Sequence, residues 1–342
     1  MRVGVTSAGT LLACPRRAEL DQAPREADPQ VSVVSAAATL GDICHAALER
    51  LVKTRALLGA GWEEEVEGAW AQAGAEISSR FPGLDPSDLP SHDLFRARTS
   101  VVAGRLREML APLGPEVELT CEAPMEALEG RLRGKPDLIA RAPAGHWIVD
   151  YKTGGVVDVA TGLPRSAYRS QLRLYAVLEH QRSGHWPDRT FLLSFTEGTV
   201  EVAIEPEECT ALADSLLAAL EAFDRRRPEP QPACPPETCR WCRHALSCEA
   251  VWGECGEDWA PGVLLAEGIV AQAARAATGV STVVVDLAGG TLGDGRSAIR
   301  AAAAQSLPEL AAGMRIRASG LIRRGGQTFE LGPAGMIAEV EA

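Results

Sequence analysis

Gly134-Lys135-Pro136-Asp137 and, twelve residues later, Asp150-Tyr151-Lys152 are the two stretches on which the reading of this chain turns. Between them Leu138–Arg141 and His146–Tyr151 alternate like two antiparallel strands. Asp137 is expected to end one strand, with Asp150 and Lys152 on the next. Side chains two apart on a strand share a face, so Asp150 and Lys152 point the same way. Adjacent strands lie roughly 5 Å apart, which lets Asp137 share a cation with Asp150. Phosphodiester hydrolysis uses such a set. Carboxylates hold Mg²⁺ or Mn²⁺ against a phosphate oxygen and lower the pKa of a bound water. A lysine orients that water and offsets charge on phosphorus. Two surface aspartates and a lysine at an edge strand would give the same letters, so the motif needs company.

The company lies on the flanking helices. Upstream, a helix near Ala36–Thr54 lines up Leu40, Cys44, Ala47, Leu48 and Leu51 as an apolar stripe and carries His45, with Glu49 one turn on. A lone helix histidine is more often a satisfied packing residue than a ligand. Downstream, a helix near Ala167–Gln181 holds Gln171 and Tyr175, four apart and so on one face. Further helices are expected near Trp62–Ser78, near Leu94–Leu110 and from Glu207 to about Arg226, with strands at Val117–Ala123 and Leu128–Arg133 and a hairpin through Thr190–Ile204. A short turn is expected around Cys14-Pro15, and Arg227–Pro232 reads as a stiff linker.

Composition narrows the classes. At 342 residues, 46% hydrophobic and 23% charged, the chain suits two soluble domains. No run of eighteen apolar residues occurs and no signal peptide opens the chain, so no membrane span and a cytoplasmic location are expected. The net charge of −12 means that nucleic acid would be met through a local basic groove. Arg131, Arg133, Lys135, Arg165, Arg169, Arg173, Arg240 and Arg243 are the candidates for it. Only three of 34 basic residues are lysine, and Lys135 and Lys152 lie in the two opening motifs. Lysine is kept where a compact, deprotonatable ammonium matters. There is no phosphate-binding P-loop, so no ATP-driven motor is built in.

In order, His45, Gly134 to Asp137, Asp150 to Lys152 and Gln171 to Tyr175 resemble the helix His, GxxD, DxK and QxxxY of the RecB-type branch of the PD-(D/E)xK nucleases. The resemblance spans roughly residues 5–250. It implies that His45, Asp137, Asp150 and the carbonyl of Tyr151 ligate the metal, that Lys152 is catalytic, and that Gln171 and Tyr175 support the site or contact DNA. A His, carboxylate and carbonyl shell suits Mn²⁺ at least as well as Mg²⁺.

Nine cysteines in an intracellular chain are better read as ligands than as disulfides. Cys239, Cys242 and Cys248 form a C-x2-C-x5-C run. Cys234 nearby could complete it, for zinc or for an iron–sulfur cluster. Leu11–Arg17, around Cys14, resembles the N-terminal "CP-basic" turn of the AddB-type and CRISPR-associated iron–sulfur exonucleases. That resemblance favours Cys14, Cys239, Cys242 and Cys248 around a [4Fe–4S] cluster that clasps the nuclease fold. Cys44, Cys121, Cys209 and Cys255 read as ordinary cysteines.

From Pro261 on, short Val/Ile runs between glycines suggest five or six strands, with a small helix near Leu307–Ala312. This stretch has one aromatic residue, Phe329, too few for a base-stacking platform, although Arg315, Arg317, Arg323 and Arg324 could meet phosphates. The whole reads as an α/β protein. Residues 1–255 form a restriction-endonuclease-like core, a mixed central sheet flanked by helices, with a Cys-ligated iron–sulfur cluster. Residues 261–342 form a small all-β, OB-like barrel, a possible docking site for protein partners. The activity expected is divalent-metal-dependent cleavage of DNA, at ends or single strands, in repair or phage defence. The competing readings are a non-catalytic iron–sulfur DNA-binding scaffold, a subunit of a larger nuclease complex, or a redox-sensing regulator.

Overall fold

Pro15 restarts a helix where the sequence suggested only a turn. In the computed structural model, which describes residues 1–22, 36–81, 83–226, 232–239, 242–256, 258–259, 262–302 and 307–340, β1 (Val3–Gly4) leads into α1 (Val5–Ala13), and Cys14 N-caps α2 (Pro15–Leu20). Proline loses no hydrogen bond at the first helical position, which is why the step tolerates it. The thiol of Cys14 makes no capping hydrogen bond.

By contact the chain divides into two units. One comprises Met1–Gly9 with Ser32–Arg225, the other Thr10–Val31 with Arg226–Ala342. Most of the expected linker, residues 227–231, lies outside the described residues.

The first unit contains α3 (Ala36–Lys53), α4 (Trp62–Arg80) and α5 (His92–Leu110). The α3 stripe of Leu40, Cys44, Ala47, Leu48 and Leu51 is buried along its length. A fully buried leucine contributes about 1.5–3 kcal/mol. That outweighs the roughly 1 kcal/mol helix cost of Gly41 beside the stripe. Three short strands follow, β2 (Glu118–Thr120), β3 (Met125–Ala127) and β4 (Leu132–Gly134). The expected Val117–Ala123 and Leu128–Arg133 strands are broken into these pieces because Glu122, Leu128, Glu129 and Gly130 take positive φ. Then come β5 (Leu138–Ala142), β6 (Gly145–Lys152), α6 (Ser166–Ser183), β7 (Arg189–Ser194), β8 (Gly198–Val202) and α7 (Pro206–Arg226).

The main sheet runs β2-β5-β6-β7-β8, antiparallel except for the β6–β7 pair that α6 connects. It is mixed and flanked by helices, as expected. Trp147, Val149 and Tyr151 join the core formed with α3, α4 and α5. The intervening residues turn toward the other face, where Asp150 meets α6. A second sheet, β1-β4-β3, lies beside it in the chain's order of pairing. Gly134 in β4 is required there. A Cβ would come within 2.7 Å of Leu178, 2.8 Å of Val5 and 3.0 Å of the Tyr175 ring. The glycine of one motif thus makes room for the tyrosine of another.

The second unit holds α8 (Pro236–Cys239) and α9 (Glu249–Glu254), then β9 (Ala266–Arg275), β10 (Ser281–Gly290), β11 (Gly295–Ala301), β12 (Arg315–Gly325) and β13 (Thr328–Glu339). These five strands close into a barrel in the order β10-β11-β13-β12-β9, with β11 and β13 parallel and the other pairs antiparallel. Its core includes Val270, Val285, Ile299, Ile316 and Phe329. Residues 307–312 are not helical. Pro308 pushes Leu307 out of the helical region, and the expected helix does not form. Arg317 is 5% exposed and paired with Glu267 and Glu249, so it is a structural residue and not a phosphate contact. Among the described residues no helix is long and apolar enough to cross a membrane.

Candidate active site

The strand register decides where the charges meet. Asp137 does not end a strand. It immediately precedes β5, whose Leu138 pairs with Val149, and so it stands opposite Asp150. The Tyr151 N–H donates to Asp137 Oδ2 at 2.5 Å, and Asp137 Oδ1 lies 3.3 Å from His45 Nδ1 on α3. The His45 ring meets the buried Tyr151 ring edge-on at 5.7 Å. Tyr151 therefore has its backbone at Asp137 and its ring under His45.

Asp150, 1% exposed, is held from the other side. Its Oδ2 pairs with the Lys152 ammonium, and its Oδ1 accepts from Gln171 Nε2 at 3.1 Å. The same nitrogen lies 3.3 Å from Tyr175 Oη. Gln171 and Tyr175 thus form a brace on Asp150 from one face of α6. Lys152 Nζ also sits 5.1 Å from the Tyr168 ring centre, a cation–π contact from the first turn of α6.

One acidic residue joins the site that the motifs did not flag. His45, Glu122 and Asp137 each offer a ligand atom within 4.8 Å of the others, a set able to hold one metal ion. Glu122 follows β2 at φ +52, and its N–H donates to Pro136 O at 3.1 Å. That αL backbone is uncommon for glutamate and turns the carboxyl toward Asp137. Neither it nor Tyr168 stands at a telling sequence spacing.

The electrostatics are those of a site waiting for positive charge. Burial, then the charge of Asp137, push the Asp150 carboxyl up to about 7 against the pull of Lys152 and His45. Burial, then the hydrogen-bonded Asp137, push Glu122 up to about 7. Burial also acts to raise Asp137, but the hydrogen bond and charge of His45 and the Tyr151 N–H hold it below the ordinary value. Burial acts to lower His45, and Asp137 overrides it, so the imidazole is raised. Too many acids face one another here to ionise together unaided.

Much of the supposed basic groove is committed elsewhere. Arg131 pairs with Asp224, Arg133 with Glu126, Arg173 with Glu208 and Arg243 with Asp21. Lys135, Arg165 and Arg169 have no such pair among the described residues, and Arg240 lies outside them.

In the second unit Cys14, Cys234, Cys239, Cys242 and Cys248 all line one pocket, with Arg16, Arg17 and His244. Burial, then neighbouring thiols, push Cys234 and Cys239 up to about 12. Arg17 donates to Thr238 O at 3.1 Å, and Asp21 pairs with Arg243 and His244, so α2 is tied to this segment. Cys44 and Cys209 are fully buried, Cys121 is 8% exposed and Cys255 half-buried, and none of them lines the cavity.

The PD-(D/E)XK nuclease superfamily matches residues 2–249, and the chain belongs to that superfamily. Its members are in general nucleases that hydrolyse phosphodiester bonds with divalent metals, and a metal-holding set of residues is present here. Among solved structures, the crystal structure of SSO0001 is 16% identical over 52% of this chain and 80% of that one, with a TM-score of 0.28. No curated protein matches.

Proposed function

We propose that the chain is a DNA nuclease of the RecB-type branch, acting on ends or single strands, with His45, Asp137, Asp150, Glu122 and the Tyr151 carbonyl around one divalent cation. The observation that carries this is the pairing of Lys152 with Asp150 beside Asp137, braced by Gln171. No packing requirement calls for two buried carboxylates and a lysine together, and a fold would be more stable without them. When bound, Mg²⁺ or Mn²⁺ supplies charge against the phosphate and acidifies water. Asp137, fixed by the Tyr151 N–H and His45, is oriented before substrate arrives. Asp150 holds the Lys152 ammonium, which would then face the scissile phosphate and offset its developing charge. Gln171 and Tyr175 keep Asp150 from turning away.

The thiol cavity is read as a [4Fe–4S] site held by Cys14, Cys239, Cys242 and Cys248. The donor set fits. Five thiols share one enclosure, yet among the described residues no three of them bring their sulfurs within 4.8 Å of one another. Three sulfurs on one zinc at about 2.3 Å could be no more than about 4.6 Å apart. A cluster spans more. The barrel is read as OB-like, because it has the strand order and the single parallel pair of a five-stranded Greek-key barrel. Phe329 is 0% exposed, so the barrel offers no aromatic for base stacking and is better suited to docking partners. A role in repair or phage defence is consistent with such a nuclease.

The test is direct. Purified protein is incubated with labelled single- and double-stranded DNA and Mn²⁺. Cleavage that chelation stops is expected. Intact DNA with metal-loaded protein would favour the non-catalytic scaffold instead.

A further inference from the structure

Between Lys152 and α6 the chain builds a small hairpin. Arg165 N donates to Val156 O at 2.9 Å, Asp158 N to Leu163 O at 2.8 Å and Gly162 N to Asp158 O at 2.8 Å, around a Val157–Pro164 bridge. At the turn Asp158 Oδ1 accepts from Ala160 N at 2.9 Å and Thr161 N at 3.1 Å. The base is clamped as well. Glu197 Oε2 accepts from Val156 N at 2.6 Å and Val157 N at 2.9 Å, and Ser194 Oγ donates to Gly154 O at 2.9 Å. A Cβ on Gly155 would lie 2.8 Å from Glu197 Oε1, so glycine is what lets this clamp close. These hydrogen bonds tie both arms of the hairpin and its base.

Asp158 and Gly162, at φ +69, are ordinary turn residues, but Val159 and Leu163 beside them are not. Val159 is 98% exposed and Leu163 55% exposed, the two highest values among large apolar side chains of the described residues. A single exposed apolar residue needs no explanation. Two on one hairpin tip, a few residues after Lys152, do.

We propose that Val159 and Leu163 form a wedge that inserts against the terminal bases of a DNA duplex and parts the strands delivered to the site. This rests on the DNA-cleaving function proposed above. Apolar side chains pushed between base steps unstack them, and the flat faces of bases accept such contacts whatever the sequence. Reach is adequate. From Val156 to Val159, where the turn begins, the three-residue arm covers at most about 10 Å at roughly 3.3 Å per residue. That equals about three base steps of 3.4 Å. Positive charge stands where a backbone would pass, with Arg165 at the foot of the hairpin and Arg169 one turn into α6, both without an ion pair among the described residues. A protein partner is the weaker fit, since a stable contact needs about 800 Å² per side and two side chains supply far less.

The test compares wild type with the Val159→Ser/Leu163→Ser double variant, each also in an Asp150→Ala background. Both tip residues are exposed, and equal melting temperatures would verify the fold. Two readouts are used: cleavage of a blunt duplex and of its single strand with Mn²⁺, and fluorescence of 2-aminopurine in the terminal pairs of a duplex bound by the Asp150→Ala proteins. The double variant is expected to keep single-strand cleavage within about twofold and to lose at least about tenfold on the duplex. Its Asp150→Ala form should leave 2-aminopurine quenched, where Asp150→Ala alone unquenches it. Unchanged duplex cleavage with unchanged fluorescence overturns the wedge, as does an equal loss on both substrates. If wild type cleaves neither DNA yet the tip-dependent fluorescence appears, the wedge stands and the nuclease assignment falls. If no fluorescence rise occurs with intact hairpin, the wedge falls whatever the cleavage.

Discussion

Around Asp137 and Asp150 the charged groups hang from long elements, the eighteen-residue α3 and α6 and the eight-residue β6. Around Cys239 the thiols hang from pieces, the four-residue α8, a three-residue 3-10 turn and the six-residue α9, with Cys234 at φ +50. Each aspartate has protein partners: Asp137 has His45 and Tyr151, and Asp150 has Lys152 and Gln171. The thiols have little beyond a small apolar cluster of Val251, Val263 and Leu265. On the cluster reading proposed above, the same task, gathering repelling ligands at one point, is met once by a sheet and once by short segments whose order would be linked to what they bind. Losing the metal should therefore cost the first region its chemistry and the second its structure.

The largest effect tests the first half of that contrast. Asp150→Ala and Lys152→Ala should each lower Mn²⁺-dependent cleavage by at least about 10³-fold, while circular dichroism and melting stay close to wild type. Near-normal activity in either would end the assignment.

The second half predicts the reverse for the thiols. Cys14→Ser and Cys239→Ser should lose absorbance near about 400 nm and iron, and should be less stable by several kcal/mol, since ligand binding and folding are linked. Cys234→Ser is expected to keep both. A bleached Cys234→Ser beside a brown Cys14→Ser would hand the fourth position to Cys234. One zinc per chain and no iron would remove the cluster and leave the nuclease untouched.

A smaller effect sharpens the ligand set. Glu122→Gln and His45→Ala should each weaken Mn²⁺ binding by about 10–100-fold in a calorimetric titration, and His45→Ala should also shift the Mg²⁺/Mn²⁺ preference. Affinity within twofold of wild type would make that residue a bystander.

The smallest effect is a pH dependence. Asp150 and Glu122 are raised to about 7, and His45 is raised too. A raised group stabilises the fold below its unfolded pKa and loses that contribution as pH climbs through its folded value. Between about pH 5 and 8 the metal-free first unit should thus lose stability as pH rises, and a cation should restore it. Thermal melts should rise by a few degrees more on adding Mn²⁺ at pH 8 than at pH 5.5. An equal or larger rise at the lower pH would contradict the site electrostatics.

What could be read in the sequence was what repeats with a period. The α3 stripe, the alternation of β5 and β6 and the four-residue step from Gln171 to Tyr175 all survive folding because local geometry alone sets them. Glu122 was invisible because its place at the site depends on a left-handed backbone after a three-residue strand. Gly134 was visible as a motif letter, but its reason, the Tyr175 and Val5 side chains lying against it, is a long-range contact. Cys14-Pro15 misled because proline serves turns and helix starts equally well. Three of the arginines expected to face a phosphate backbone, Arg131, Arg173 and Arg243, were already engaged with acids far away in the chain, and Arg133 with nearby Glu126.

One feature of the second unit reaches into the cell. Arg17 finds Thr238 across 221 residues of sequence, in a unit that apart from Thr10–Val31 consists of residues after Arg225. A ribosome adding about 5–20 residues per second needs some ten to forty-five seconds to span that gap. Throughout that interval α2 has been made while Thr238, Arg243 and His244, which it and Asp21 will hold, have not. The order in which the unit closes is therefore set by translation, with its first segment made early and its last partners late.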